Sequence, residues 1–328
     1  MTVTDINLMM AQKDTNPYRF SDSNKRYQTY EYRSRQKFGK KVAKIPLDAG
    51  FSCPNIDKSG LGCIYCSLRG SGDFIPPGMT LREQYDAGRL ALSSKWDTSA
   101  CIAYLQAHTN TYAPAERLEA VYREVLSFPG VVGLNIATRA DCLPDETCLL
   151  LDRLSRETAL TVELGLQTTK DETAALIRRG HGFEEFKEGY SRLRRLCPGA
   201  EISVHIIFGL PGETAEDMEK TVKDLAALAP DEVKIHLLYI LKGTPMEKML
   251  SEGRYTPMTR EEYVDAVCRA LTLLPEKTVI GRLTGDAPGD LLAAPEWSRK
   301  KTAVLNMIDR KMFEKGWYQG CFADRPQG

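Results

Sequence analysis

KVAKIPLDAGFSCPNIDKSGLGCIYCSLRGSGDF, residues 41–74, reads as a short β-strand, KVAKIPLD, that runs directly into a long glycine-rich loop. The loop carries Cys53, Cys63 and Cys66 in a C-x9-C-x2-C spacing. Three thiolates from one loop suit a [4Fe–4S] cluster, and the x2 spacing lets the last two reach neighbouring irons. Glycines at 50, 60, 62, 70 and 72 allow the backbone to wrap closely around such a group. A structural zinc site is the alternative. Zinc takes four ligands, usually as two close pairs, and the sequence holds no second C-x2-C and no H-x3-H; a distant fourth ligand stays open. Three cysteines without a fourth leave one iron available to a substrate or cofactor.

Outward from this loop, short apolar runs alternate with amphipathic helical stretches, the pattern of parallel βα units. The strands are KVAKIPLD (41–48), ACIAYLQA (100–107), VVGLNIA (131–137), TVELGLQ (161–167), EISVHIIFG (201–209) and EVKIHLLYI (232–240). A helical pattern follows each strand. The fifth is TAEDMEKTVKDLAALA, with Thr214 as N-cap and Asp217 three positions on. The expected fold is therefore α/β: a partial (β/α)6 TIM-like barrel of parallel strands with N- and C-terminal extensions. Residues 1–39 form a basic and aromatic extension, 40–275 the core, and 276–328 a C-terminal extension packed on it. In such folds function sits on the loops after the strand C-termini.

The 328 residues carry no net charge, which argues against an overwhelming polyanion-binding surface. No apolar run could span a bilayer and the first residues lack a secretory pattern, so no membrane partner is expected and the cytoplasm is the expected location. Nine cysteines, an odd number, make a disulfide framework an unsuitable reading. Cys101, Cys142, Cys148, Cys197, Cys268 and Cys321 read as small buried hydrophobes. Between Lys25 and Lys44 eight basic residues face one acid, Glu31, with Tyr27, Tyr30, Tyr32 and Phe38 interleaved. Such a stretch can hold phosphates and stack bases, but a solvated helix face followed by an edge strand is the favoured reading.

A three-cysteine loop after the first strand of a βα barrel resembles the radical S-adenosylmethionine (SAM) superfamily. The x9 spacing, with Tyr65 between the last two cysteines, is similar to that of the elongator catalytic subunit. The motifs FGKKVAKIPLDAGFSCPN, GCIYCSLRGSGDF, YLQAHTNTYAP, ATRADCLPDE, VELGLQT, RRGHGFEEF, HIIFGLPGET, KIHLLYILKGT and RLTGDAPGDLLAAPEWSRKK resemble the YhcC/YtqA family, in order, from about Lys40 to Lys301. The resemblance implies a [4Fe–4S] cluster on Cys53, Cys63 and Cys66 and reductive cleavage of SAM to a 5′-deoxyadenosyl radical. It places Tyr65 near the adenine. His108 and Thr109 fall where relatives carry a Gly-Gly stretch that grips the methionyl amine. ELGLQT and LIRRGH also resemble oxygen-independent coproporphyrinogen oxidase, which puts Gln167 and Arg179 on the ribose or carboxylate of SAM, His205 on the ribose, and the backbone of Gly209 and Leu210 on the adenine. Glu163 shares a strand face with Gly165 and Gln167 and points into the barrel. His236 reads as a packed core histidine, and RLTGDAPGD, with Asp286 and Asp290, as a loop that either closes over substrate or merely connects.

Three functions follow. The family has been tied to wobble-uridine modification, so a radical SAM enzyme acting on tRNA is the first, with a flavodoxin- or ferredoxin-type electron donor. It would use the basic N-terminal stretch and the segment SRKKTAVLNMIDRKMFEK, provided both lie on the cluster side of the barrel. The second keeps the radical chemistry on a small carboxylated or porphyrin-like molecule. The third is a non-catalytic Fe–S or metal-binding protein.

Overall fold

The computed structural model describes residues 16–56, 60, 62–70, 72–285 and 289–323. Helix α1 (Tyr30–Phe38) precedes strand β1 (Ala43–Leu47) and helix α2 (Leu81–Ser93). Then come β2 (Cys101–Leu105), α3 (Ala115–Leu126), β3 (Val131–Thr138), a 3-10 turn at Ala140–Cys142, α4 (Asp145–Ser155) and β4 (Ala159–Gln167). Two helices, α5 (Asp171–Leu176) and α6 (Phe183–Leu196), separate β4 from β5 (Glu201–Phe208), which leads through α7 (Ala215–Ala227) to β6 (Glu232–Leu237). The chain ends with β7 (Ile240–Leu241), α8 (Pro245–Ser251), α9 (Arg260–Leu273), β8 (Val279–Arg282), β9 (Leu292–Ala294) and α10 (Lys301–Glu314).

All six expected strands form, and they pair in parallel and in chain order; β8 adds a seventh parallel strand beside β6. The α/β half-barrel is thus one strand wider than the six-strand expectation, and that strand lies within the 276–328 segment. Antiparallel β7 and β9 form a separate small ribbon. Helix starts follow local chemistry. Thr80 with Glu83, Thr214 with Asp217 and Thr259 with Glu262 each form a reciprocal capping box, which satisfies first-turn N–H groups that the helix itself cannot.

The strands alternate with a period of two, and the two faces differ in kind. Outward residues such as Ile45, Leu134, Ile136, Val162, Val204 and Ile235 are fully buried beneath the helices. Each such side chain contributes about 1.5–3 kcal/mol by leaving water. Many inward positions are polar, among them Lys44, Tyr104, Asn135, Glu163, Ser203, His205 and Lys234, interspersed with Pro46, Ala137 and Ile207. A buried parallel sheet usually reads as continuous apolar runs; here one face is given to charge and hydrogen bonding.

Helix α1 closes the base of the half-barrel. Arg33 and Lys37 reach Glu201, the first residue of β5, at 3.0 and 2.9 Å, and Thr29 bridges to Ile280 in β8. The favoured reading of the basic stretch, a helix face and then an edge strand, describes its secondary structure, but its charges are paired rather than merely solvated. Lys25 meets Asp309, Arg35 meets Asp22 and Glu31, Lys40 meets Asp97 and Lys41 meets Glu31. No helix among the described residues is long and apolar enough to cross a membrane.

Gly189 in α6 is where the helix layer meets the turn after β3. A Cβ there would fall 2.1 Å from the Ala140 carbonyl oxygen, a backbone atom that cannot swing aside. Gly189→Ala is expected to lower stability by about 1–3 kcal/mol, read as a lower thermal midpoint; an unchanged midpoint contradicts this packing.

Candidate active site

The cysteine loop lies across the strand C-termini and is stapled there by backbone. Ile64 N–H donates to the Ile177 carbonyl at 3.1 Å, Met246 N–H to the Ile64 carbonyl at 3.1 Å, and Thr109 N–H to the Ser52 carbonyl at 3.2 Å. Asn55 Nδ2 donates to the Arg178 carbonyl at 2.5 Å and to Cys63 Sγ at 3.3 Å. Gly180, with φ +82°, makes this contact possible, because a Cβ there would stand 2.3 Å from Asn55 Oδ1. Cys63 and Cys66 share a hydrogen bond, which holds the Cys63 thiol low and pushes Cys66 up; Arg179 adds to the lowering and burial opposes it at Cys63. Cys53, Cys63 and Cys66 all line one cavity of about 600 Å³. Among the described residues no three His, Cys, Asp or Glu side chains converge closely enough to ligate a single ion. A cubane asks for less convergence, since each thiolate binds a different iron.

Tyr65, His108, Thr109, Gln167, Arg179 and His205 line the same cavity. Arg179 is its best-built wall. Its Nη2 donates to the Gly165 carbonyl, and its own carbonyl accepts from Arg139 Nη1 at 2.8 Å. Arg139 is in turn gripped by Asp141 through two contacts of 2.9 and 2.7 Å. The Arg179 Nε is buried with no partner among the described residues, a donor left for an anionic group. Gln167 sits at φ +76°, where the β4–β5 register slips between Gly165 and Gln167. Such backbone is costly for a non-glycine residue and concentrates at functional sites. His108 has φ +58°, and burial lowers its pKa. This donor set fits the groups that the resemblance implies: three thiols on one loop, and beside them an unspent guanidinium N–H for a carboxylate.

Gly209 and Leu210 do not join this cavity. The Gly209 carbonyl accepts from Tyr255 Oη at 2.6 Å, and Leu210 packs into an apolar cluster with Ile64, Ile177 and Met246. Of the other residues on the loop after β2, Asn110 spends its amide on the carbonyls of Leu105, Ala107 and Ala137, and Tyr112 is half exposed. Asp286 lies outside the described residues.

Below Arg179 the cavity enters the half-barrel, where Glu163 is fully enclosed. Its carboxylate accepts from Asn135 Nδ2 at 2.6 Å, Lys44 Nζ at 3.3 Å, His205 Nε2 at 2.9 Å and Lys234 Nζ. Burial alone would raise its pKa, but Lys234, Lys44 and His205 outweigh that and hold it well below the usual carboxylate range. His205, expected at the ribose, is thus tied to Glu163 while still facing the cavity, and its ring lies 5.1 Å from that of His236. His236 also lines the cavity instead of packing in the core. Lys44, Tyr104, Lys234 and Arg282 also stand on the cavity wall. Lys44 and Lys234 carry a sequence signal, a charge within an otherwise apolar strand, whereas Tyr104 and Arg282 carry none.

Tyr30, Lys41 and Lys44 of the basic N-terminal stretch line the cavity, but Arg33, Lys37 and Lys40 pair with Glu201 and Asp97, at or just ahead of strand N-termini. Those charges therefore lie at the base of the barrel, opposite the cysteine loop, and do not meet the condition for a nucleic-acid footprint. In the segment from Ser298 to Lys315, Arg299 pairs with Glu296, Arg310 with Glu314 and Lys311 with Asp265.

Residues 58–225 match the radical SAM superfamily and residues 230–314 match the radical SAM C-terminal domain. The Bacillus subtilis (strain 168) protein YtqA is 43% identical over 313 residues, covering 94% of this chain and 97% of YtqA. Escherichia coli (strain K12) YhcC is 31% identical over 296 residues, covering 89% and 93% respectively. A tRNA uridine(34) acetyltransferase of Methanocaldococcus infernus is 26% identical over 200 residues, 60% of this chain and 36% of that protein. Among solved structures, the Methanocaldococcus infernus Elp3 with an N-terminal deletion superposes with a TM-score of 0.61 at 19% identity, covering 85% of this chain and 64% of that one. The chain belongs to the radical SAM superfamily and, within it, to the family of YhcC and YtqA. It is an enzyme, and its cofactors are a [4Fe–4S] cluster and SAM.

Glu163→Gln leaves Lys44 and Lys234 with Glu232 alone as a shared anion, at 3.6 and 3.9 Å, and a stability loss of about 3–5 kcal/mol at neutral pH is expected. Because the folded-state pKa of Glu163 is depressed, its contribution is present above the ordinary carboxylate pKa and is lost as pH falls through the folded value. The gap between wild type and variant should therefore narrow in acid. Denaturant unfolding at neutral and acid pH measures it, and a gap independent of pH contradicts the assignment.

Proposed function

We propose that Cys53, Cys63 and Cys66 hold the cluster, that the cavity beside them binds SAM, and that the enzyme modifies the side chain of a wobble uridine in tRNA. Held by these three thiolates, a cluster would supply the one electron for reductive cleavage of SAM to methionine and a 5′-deoxyadenosyl radical, and a flavodoxin- or ferredoxin-type donor in the cytoplasm would replace that electron. Arg179, with its unpartnered buried Nε, holds the SAM carboxylate, since a guanidinium suits charge-assisted contacts. Gln167 and His205 face the ribose, Thr109 and the backbone around His108 the methionyl amine, and Tyr65 the adenine. Gly209 and Leu210 lie off the cavity wall, which leaves the adenine to Tyr65 and the apolar residues around it. The half-barrel walls exclude water and fix the distance from SAM to substrate, as a radical step requires.

One observation carries the tRNA reading: the similarity over 60% of this chain to a tRNA uridine(34) acetyltransferase. The match covers 36% of that relative, so its acetyl transfer is not carried over. Exposed aromatic side chains on the cluster side, Phe74 and Tyr112, supply the stacking surface that an unpaired base uses. The basic N-terminal stretch no longer contributes to this reading.

The test is nucleoside profiling of total tRNA from a host with and without this protein. We expect one modified wobble uridine to change in the absence of the protein, to return with the wild-type chain and to stay changed with Cys63→Ala. Identical wobble nucleosides in all three strains reject the tRNA substrate.

A further inference from the structure

Donors and acceptors in the half-barrel interior do not balance. Two carboxylates stand there, and both are engaged. Glu163 is filled by four donors. Glu232 accepts from Ser203 Oγ at 2.9 Å and lies 3.6 Å from Lys44 Nζ. Gly281 makes room for it, since a Cβ there would come within 2.5 Å of Glu232 Oε1.

Three polar groups facing the same cavity have nothing to bond among the described residues. The hydroxyl of Tyr30 and Nε2 of His236 are buried and unpartnered. Arg282 lies level with Lys234 in the β6–β8 register and lines the cavity, yet its guanidinium makes no hydrogen bond or ion pair among the described residues. A buried donor without an acceptor costs about 1–3 kcal/mol, so the Tyr30 and His236 groups call for an explanation, and the half-buried Arg282 brings an unspent positive charge to the same cavity. Charge points the same way. Lys44, Lys234 and Arg282 outnumber Glu163 and Glu232. Burial brings the Lys234 pKa down to about 8, with Lys44 and Arg282 adding to the lowering against Glu163, whereas Glu232 and Glu163 outweigh burial at Lys44 and hold it above the usual lysine range.

The geometry points to a binding site for an anionic oxygen group of the substrate, a carboxylate or a phosphate, inside the half-barrel, with Arg282 as its principal ligand and Tyr30 and His236 as further donors. An ionised carboxylate or phosphate only accepts hydrogen bonds, and it answers unspent donors and excess positive charge together. Anchoring the substrate here, in the same cavity as Arg179, would hold its reacting carbon in register with SAM. The inference rests on the reading that this cavity holds the substrate of a radical SAM reaction.

The test titrates the reconstituted holoenzyme, with SAM present, with acetate and separately with inorganic phosphate, following binding by ligand-observed NMR. Arg282→Met, Arg282→Lys and a surface control, Lys220→Met on exposed α7, are run beside the wild type. We expect at least one anion to bind, Arg282→Met to weaken it about 10-fold or more, Arg282→Lys to retain part of it, and the control to match wild type. Preference for acetate assigns a carboxylate; preference for phosphate assigns a phosphate. No binding of either, or binding that Arg282→Met leaves unchanged, overturns the site. Should Arg282→Met fail to fold, Tyr30→Phe takes its place, and undiminished binding there overturns the site equally. Substrate-free cleavage of SAM to 5′-deoxyadenosine is measured on the same samples. Its retention in Arg282→Met shows that the lost binding is not a lost cluster. Its absence from the wild type counts against the radical SAM site, while the anion titration still decides this one.

Discussion

The carboxylate of Glu163 sits at the centre of the half-barrel, and side chains from four other strands are set by it: Lys44 from β1, Asn135 from β3, His205 from β5 and Lys234 from β6. A parallel sheet is ordinarily held by apolar contacts on both faces. Here the outer face supplies that, and the inner face is organised by one enclosed charge. Two ammonium groups in a low-dielectric interior would be costly alone. With Glu163 between them they become fixed walls of a cavity, and the interior stays polar and open instead of collapsing into a packed core.

That arrangement joins the two ends of the site. Above Glu163, Gly165 on the same strand accepts from Arg179, and a Cβ at Gly165 would come within 3.1 Å of Arg179 Nη2. Arg179 follows directly on Ile177 and Arg178, whose carbonyls anchor the cysteine loop through Ile64 and Asn55. Cluster loop, SAM wall and interior are therefore one connected framework. Helix α1 completes it from below, and the basic residues around it are consumed in holding acids from distant parts of the chain.

Much of this was legible in the sequence. The cysteine spacing, the six strands and the Thr214–Asp217 cap follow from local chemistry, which is why residue type alone finds them. The seventh strand was not legible, because Val279–Arg282 is only four residues long and is defined by pairing with β6, a non-local fact. Lys44 and Lys234 sit in strands whose alternation was visible, but a lysine in a strand ordinarily marks a solvated edge; only closure of the sheet around Glu163 makes them interior. The basic N-terminal stretch shows the converse. Its charge was plain, whereas its partners Glu201, Asp97 and Asp309 are brought in by folding. Gly209 was placed by analogy with relatives, and the Tyr255 hydroxyl that occupies its carbonyl comes from a loop whose approach no local pattern encodes.

The most direct measurement is anaerobic reconstitution with iron and sulfide, followed by metal analysis and a SAM-cleavage assay under reducing conditions. The account predicts about four irons per chain and formation of 5′-deoxyadenosine, both lost when Cys53, Cys63 and Cys66 are together replaced by alanine. A single bound zinc, or a reducible cluster that leaves SAM intact, would contradict it.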